Sequence, residues 1–366
     1  MRDALEMLTH RLRETPEFLA GWLADVPGGS DWMIERLSLD EHHWQQFLLC
    51  LAPRPRTFSS DVETISRYVN TEPMELARVL REAMALTALA QVDRAGSEAG
   101  LPPQTGLLAA ARDEASETVS REHVSTSYIR RVAANVRNRA PASASNFVDV
   151  EAVAALAAPL ATVILPGLSI QASRSWLAQR SVRLEPTDRD RRLRGLLLAW
   201  RGTGLMFIDG SLPEEDRRFT IAHELGHFLL DYLDERTRLI HRAPHLLDVV
   251  DGHRRITPSD RAMAVVEEIE LGVHRHLLDR EPAGAASWTV ERSEGRALRF
   301  ALELLTPWSA VRATARSAAV AATWPDRLAA TAELLANRFG IPDDAARVRA
   351  REALDAIGRG PTFLER

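Results

Sequence analysis

Apolar residues recur at helical spacing through the first part of the chain, beginning with Leu5, Leu8 and Leu12. Apolar positions three and four residues apart lie on one face of a helix, so this part of the chain is predicted to be helical. A stretch richer in Gly, Pro, Ser and Thr follows at residues 91–125 and indicates a boundary. We therefore expect an all-α N-terminal domain over residues 1–125.

Two short helices are predicted at residues 61–69 and 74–86, separated by the break Asn-Thr-Glu-Pro. Such a pair resembles a helix-turn-helix, although any small helical bundle shows the same pattern. The second helix offers only Arg78 and Arg81 as basic residues, which is few for a DNA-reading helix. Packing, regulation or substrate recognition is therefore favoured for this domain, and direct nucleic-acid binding is the weaker alternative.

The pattern changes from residue 148 onward. The segment VDVEAVAALAAPLATVIL predicts a helix that leads into a strand. The apolar runs LRGLLLAW and GLMFIDG, joined by the turn RGTG, predict a hairpin over residues 193–210. After Pro307 the pattern becomes helical again. We expect a second domain over residues 126–345, which contains these elements, and a helical tail over residues 346–366.

One further helix, predicted from about residue 212 to 233, carries the chemistry. Ser211 and Glu214 are spaced as a capping box, and Pro213 suits a first helical turn. Within it His223, Glu224 and His227 form the pattern HExxH. The segment therefore predicts a stable helix that presents two histidines on one face.

The spacing of these three residues points to a metal site. His223 and His227 are four residues apart on a helix, so both imidazoles project from one face and can bind one zinc ion. Glu224 is offset by about 100° around the helix, from where it can hold the attacking water and accept its proton. The sequence therefore predicts two metal ligands and a general base.

A catalytic zinc site needs a third protein ligand. Glu294 is the best candidate, because it lies at the edge of an apolar helical face that includes Ala297 and Phe300. The competing carboxylates Glu267, Glu268 and Glu270 lie closer along the chain. The residues by themselves leave this choice open.

Two motifs together resemble the ImmA/IrrE family of zinc metallopeptidases over roughly residues 128–345. They are RRFTIAHELGHFLLDY and, starting at Glu294, E-x-x-A-x-x-F-A-x-E-L-L-x-P. The resemblance implies an α+β, mostly helical zincin-like domain with a small sheet. It also implies that His223, His227 and Glu294 bind one Zn²⁺ per chain, with Mn²⁺ as the alternative metal, and that Glu224 is the general base.

The chain departs from the family pattern in two places. Leu298 stands where the family usually has Asn or Asp, so the polar residue that would orient a histidine ligand is missing. Residues 235–290 form an insertion that we expect to be a lid or a substrate-binding wall. Inside it, His274 and His276 alternate and would share one strand face, which makes a second metal site an alternative of low weight.

The composition indicates a globular protein and excludes several other classes. Hydrophobic residues make up 45% and charged residues 27% of the 366 residues, which is typical of globular proteins. No apolar run approaches the ~20 residues of a membrane span, so no membrane association is expected. Cys50 is the single cysteine, which favours a reducing cytoplasm, and the net charge of −5 argues against coating a polyanion.

The resemblance also implies a function. We expect a metalloendopeptidase that cleaves a helix-turn-helix repressor and so derepresses stress, mobile-element or phage-defence genes. Two alternatives stay open: a DNA- or repressor-binding regulator whose peptidase fold is a non-catalytic scaffold, and a toxin-like general protease.

Overall fold

The computed structural model describes residues 31–40, 43, 65–67, 70–99, 126–138, 148–182, 189–250, 257, 259–260, 263–264, 274–280, 288–318 and 323–361. Most of the predicted N-terminal helices and the competing carboxylates Glu267, Glu268 and Glu270 lie outside these residues.

The described part of the chain contains twelve α-helices. They are α1 (Asp31–Arg36), α2 (Pro73–Ala99), α3 (Thr126–Arg137), α4 (Val150–Ala157), α5 (Ile170–Gln179), α6 (Glu214–His227), α7 (Asp234–Arg242), α8 (Leu247–Val250), α9 (Trp288–Leu305), α10 (Trp308–Ala318), α11 (Trp324–Phe339) and α12 (Asp343–Ala356). A π-helical stretch, Phe228–Leu233, joins α6 to α7, and a short 3₁₀ turn, Pro244–Leu246, precedes α8.

Four strands form one sheet in the order β1-β3-β2-β4. Their bounds are β1 (Leu160–Leu165), β2 (Leu193–Trp200), β3 (Thr203–Asp209) and β4 (His274–Asp279). β1 is parallel to β3, whereas β2 is antiparallel to both β3 and β4.

The predicted hairpin is present and ends in a tight turn. Trp200 pairs with Thr203, so the loop consists of Arg201 and Gly202 alone. Their φ angles are 51° and 79°, as in the turns that match the twist of two antiparallel strands. The predicted helix–strand unit is present as well, as α4 and β1.

The sheet is buried on both faces, and alternate residues of the central strands pack into hydrophobic layers on opposite faces. Leu197 and Met206 pack with α6 and α9, while Leu198 and Leu205 pack with α2 and α5. This arrangement explains why β2 and β3 are almost continuously apolar. It also places α6, the helix with the histidine motif, directly on the sheet.

Helix α2 comes from the predicted N-terminal domain, yet it packs on the sheet. Its two basic residues have partners inside the protein. Arg81 is buried and its Nε donates to the Ala155 carbonyl at 2.9 Å, and Arg78 pairs with Glu151 at 2.9 Å. Neither arginine is therefore presented as in a DNA-reading helix. The domain boundary at residue 125 stays a prediction.

The predicted capping box at Ser211 and Glu214 is wrong. The Ser211 hydroxyl and backbone N–H instead donate to Asp209 Oδ1, at 2.7 and 2.9 Å, and α6 begins at Glu214 after Pro213 without a side-chain cap. The helix also continues past residue 233, through the π-helical stretch into α7. The same oxygen of Asp209, at the end of β3, also accepts the Gly167 N–H at 2.9 Å, so this carboxylate ties Ser211 to the loop after β1.

The predicted fold class, an α+β and mostly helical domain with a small sheet, is confirmed. None of the helices described above is both long enough and apolar enough to span a membrane.

Candidate metal centre

The two histidines of the motif lie where α6 is buried between the sheet and α9. The Nε2 atoms of His223 and His227 are 3.1 Å apart, and their side chains are 8% and 1% exposed. Both ring nitrogens thus point to one spot, as the four-residue spacing predicts.

Glu294 reaches the same spot from α9. Its Oε2 lies 3.1 Å from His223 Nε2, and its Oε1 lies 3.6 Å from His227 Nε2. The close approach of α6 and α9 depends on Gly226, since a Cβ there would come within 3.1 Å of the Ala297 backbone. The structure therefore brings together all three residues predicted as ligands.

A fourth group, His276 of β4, joins the cluster. Its Nε2 lies 2.7 Å from Glu294 Oε1, its Nδ1 lies 2.9 Å from Glu224 Oε2, and its ring stacks on His227 with centroids 3.6 Å apart. His276 therefore belongs to the HExxH site and not to a separate second site. His274 lies beside Tyr232 instead, with ring centroids 5.7 Å apart.

Strand pairing explains the position of His276. In the β2–β4 ladder His276 is opposite Leu197, and side chains of directly paired residues point to the same face of a sheet. Leu197 faces α6, so His276 does too. The alternation of two histidines is the sequence signal for a shared strand face, but it cannot tell which strand is the partner.

These donors fit a divalent metal ion. One ligand atom from each of His223, His227, His276 and Glu294 can be chosen so that all four lie within 4.8 Å of one another. Tetrahedral ligands at zinc distances lie about 3.3 Å apart, close to the separations found here. Two or three imidazoles with one carboxylate are a donor set that zinc accepts readily.

The charges of the cluster also suit a cation. Burial raises the pKa of Glu294, but hydrogen bonds with His223, His227 and His276 outweigh it and hold that pKa far below its usual range. Burial lowers the pKa of His276, but the carboxylates of Glu224 and Glu294 raise it to about 10. In the metal-free protein a proton on His276 thus offsets part of the carboxylate charge, and a bound metal would replace it.

Glu224 is fully buried beside the cluster. Its Oε2 contacts His276, while its Oε1 has no hydrogen-bond partner among the described residues. Burial raises its pKa, but the nearby histidines, His276 first, lower it below the usual value, so the group is a carboxylate at neutral pH. A buried acceptor left open in this way is typical of a group that binds water or substrate.

The group that contacts the second nitrogen of His227 comes from the π-helical stretch directly after α6. Asp231 Oδ2 lies 2.6 Å from His227 Nδ1, and Ser293 and Arg296 of α9 hold this carboxylate in turn, the serine hydroxyl at 2.6 Å. A carboxylate that accepts the second N–H of a metal-binding histidine fixes the ring orientation. Asp231 therefore supplies the support that Leu298 cannot, and Leu298 packs against the core.

One family of known proteins matches the part of the chain that carries the histidine motif. Residues 178–246 match the model of the IrrE N-terminal-like domain, Peptidase_M78. This stretch of the chain is similar to the ImmA/IrrE family. The match confirms the resemblance predicted from the sequence. No curated protein and no solved structure matches the chain.

The matched stretch covers about a fifth of the chain and contains β2, β3 and α6. It ends before His276 and Glu294, so the placement of these two residues comes from the geometry alone. Tyr232 is used structurally within this stretch, since its hydroxyl accepts the Gly202 N–H of the hairpin turn at 2.7 Å.

Proposed function

We propose that this protein is a zinc-dependent endopeptidase. The observation that carries the proposal is the cluster of His223, His227 and Glu294, with the buried carboxylate of Glu224 next to it. The similarity to the ImmA/IrrE family supports peptidase chemistry. The donor set favours zinc over manganese, which prefers carboxylate, carbonyl and water oxygens.

In the proposed reaction the residues have three roles: metal binding, proton transfer and positioning. His223, His227 and Glu294 hold the ion, which when bound supplies a Lewis acid for the peptide carbonyl. Glu224 accepts a proton from the attacking water and delivers it to the leaving amine. Asp231 holds His227 in position, and the apolar layer around α6 keeps bulk water from the Glu224 carboxylate.

For the substrate we propose a helix-turn-helix repressor in the cytoplasm, whose cleavage derepresses stress, mobile-element or phage-defence genes. This choice rests on what the resemblance to the ImmA/IrrE family implies. The N-terminal region would then recognise the repressor or a signal. The rival functions are a general protease and a regulator whose peptidase fold is a scaffold.

The test compares the protein termini formed in cells that express wild type, Glu224→Gln or Glu215→Gln. Glu215 is an exposed residue of the same helix and serves as the control. We expect new termini in one or a few repressors with wild type and the control, and none with Glu224→Gln. Termini in many unrelated proteins would favour a general protease, and identical patterns in all three strains would favour a scaffold.

A further inference from the structure

His276 occupies the side of the metal cluster that catalysis needs. A catalytic zinc keeps one coordination position open for water or substrate, next to the general base. Here the His276 ring lies between Glu224 and Glu294, 2.9 Å from an oxygen of the first and 2.7 Å from an oxygen of the second. A water that contacted both Glu224 Oε2 and the ion would need this place.

The orientation of the ring is that of a ligand. One nitrogen of a metal-binding histidine usually faces the ion while the other donates to a carboxylate. His227 does this with Asp231, and His276 repeats the arrangement with Nδ1 toward Glu224 and Nε2 toward the cluster. Stacking on His227 and pairing with Leu197 hold the ring in place, and its side chain is 15% exposed.

The strand that carries His276 has one attachment to the sheet. Within the described part of the chain, β4 is an edge strand that pairs only with β2. His276 can therefore leave the cluster by rotation of its side chain or by a local shift of β4 against β2, while β1 and β3 stay paired.

We propose that His276 is a fourth metal ligand that fills the open position, so that the resting protein is closed and hydrolysis begins only when His276 leaves. The ligation stands on the geometry of the cluster. The link to hydrolysis rests on the peptidase function proposed above.

The first measurement counts imidazole ligands by X-ray absorption on the zinc-loaded full chain. The variants are His276→Ala and His276→Asn, and His274→Ala is the matched control on the same strand. We expect three imidazoles in wild type and in His274→Ala, and two in both His276 variants. We also expect the zinc dissociation constant of the His276 variants to rise more than about 100-fold, beyond the cost of an outer contact. Two imidazoles in wild type would overturn the ligation.

The second measurement follows hydrolysis of a peptide or protein substrate by the same four proteins. The proposal predicts faster hydrolysis by the His276 variants at saturating zinc. Slower hydrolysis by them would overturn the closed state, because His276 would then assist the reaction. If no protein hydrolyses any substrate, the peptidase function fails, while the imidazole count still decides the ligation.

Discussion

Oδ2 of Asp231 lies 2.6 Å from Nδ1 of His227, four residues earlier on the same helix. The helix changes to a π-helical register directly after His227, and a π-helical stretch often marks a functional site. Burial raises the pKa of Asp231, but its hydrogen bond with His227 and the charge of Arg296 hold that pKa far below its usual range. The group is thus an ionised acceptor for His227.

From this contact we expect Asp231→Asn to weaken zinc binding by about 10–100-fold, because His227 loses the acceptor that orients it. The dissociation constant can be measured by competition with a coloured chelator. Asp234→Asn is the control, since Asp234 contacts Tyr128 at 2.5 Å instead of a histidine. Equal affinities of the two variants would contradict a role of Asp231 in the site.

Replacing Glu294 tests the assigned ligand set. We expect about one zinc per chain in wild type and, in Glu294→Ala, an affinity reduced more than about 100-fold, beyond the cost of an outer contact. Elemental analysis after dialysis against buffer measures this. Glu214→Ala, an exposed residue at the start of α6, is the control. Full zinc in Glu294→Ala would move the third ligand to the region of Glu267–Glu270.

Two glycine substitutions distinguish the role of Glu224 in the reaction from the binding of the metal. A Cβ at Gly195 of β2 would lie 2.7 Å from Glu224 Oε1, whereas a Cβ at Gly295 meets nothing within 4 Å. We expect Gly195→Ala to displace the Glu224 carboxylate and to lower kcat while zinc is retained. Gly295→Ala should keep full activity and gain about 1 kcal/mol of helix stability. Unchanged kcat in Gly195→Ala would show that the position of Glu224 does not limit the reaction.

The helix that carries Glu294 is anchored at its other end by a buried ion pair. Glu303 Oε2 lies 3.0 Å from Nη2 of Arg349, whose side chain is fully buried. We expect Glu303→Gln to cost about 3 kcal/mol of unfolding free energy, the low end for a broken buried pair, because Arg349 keeps only the partly exposed carboxylate of Glu352, 3.1 Å from its Nη1. Urea unfolding measures the loss, with the exposed Glu333→Gln as control. A change below about 1 kcal/mol, the range of surface pairs, would contradict a structural role for the pair.

The same pair predicts a pH dependence. Burial raises the pKa of Glu303, but hydrogen bonds from Arg349 outweigh it and lower that pKa below its usual value. A lowered carboxyl pKa stabilises the fold fully above the unfolded pKa of about 4.3, and this part is lost as the pH falls through the folded pKa. The difference in unfolding free energy between wild type and Glu303→Gln should therefore shrink below about pH 4. A difference that stays constant down to pH 2 would contradict the lowered pKa.

Local patterns in the sequence determined much of this protein. The four-residue spacing of His223 and His227, the two-residue turn of the hairpin and the helix–strand unit of α4 and β1 depend on neighbouring residues, so periodicity and turn chemistry were enough to predict them. Asp231 was missed although it is local, because any two residues four apart on a helix are neighbours, so a carboxylate at that spacing from His227 does not by itself indicate a metal site. The capping box was predicted wrongly because the end of β3 competes for Ser211.

Only the tertiary structure decided which distant groups complete the site. Glu294 and His276 are separated from the motif by 71 and 52 residues, and both reach it through packing of α9 on α6 and pairing of β4 with β2. A strand pattern in the sequence predicts which residues share a face. The neighbouring strand and the register are set by pairing across the sheet. The sequence therefore predicted two histidine ligands and a base and favoured Glu294 as the third ligand, and the fold places a third histidine between Glu224 and Glu294.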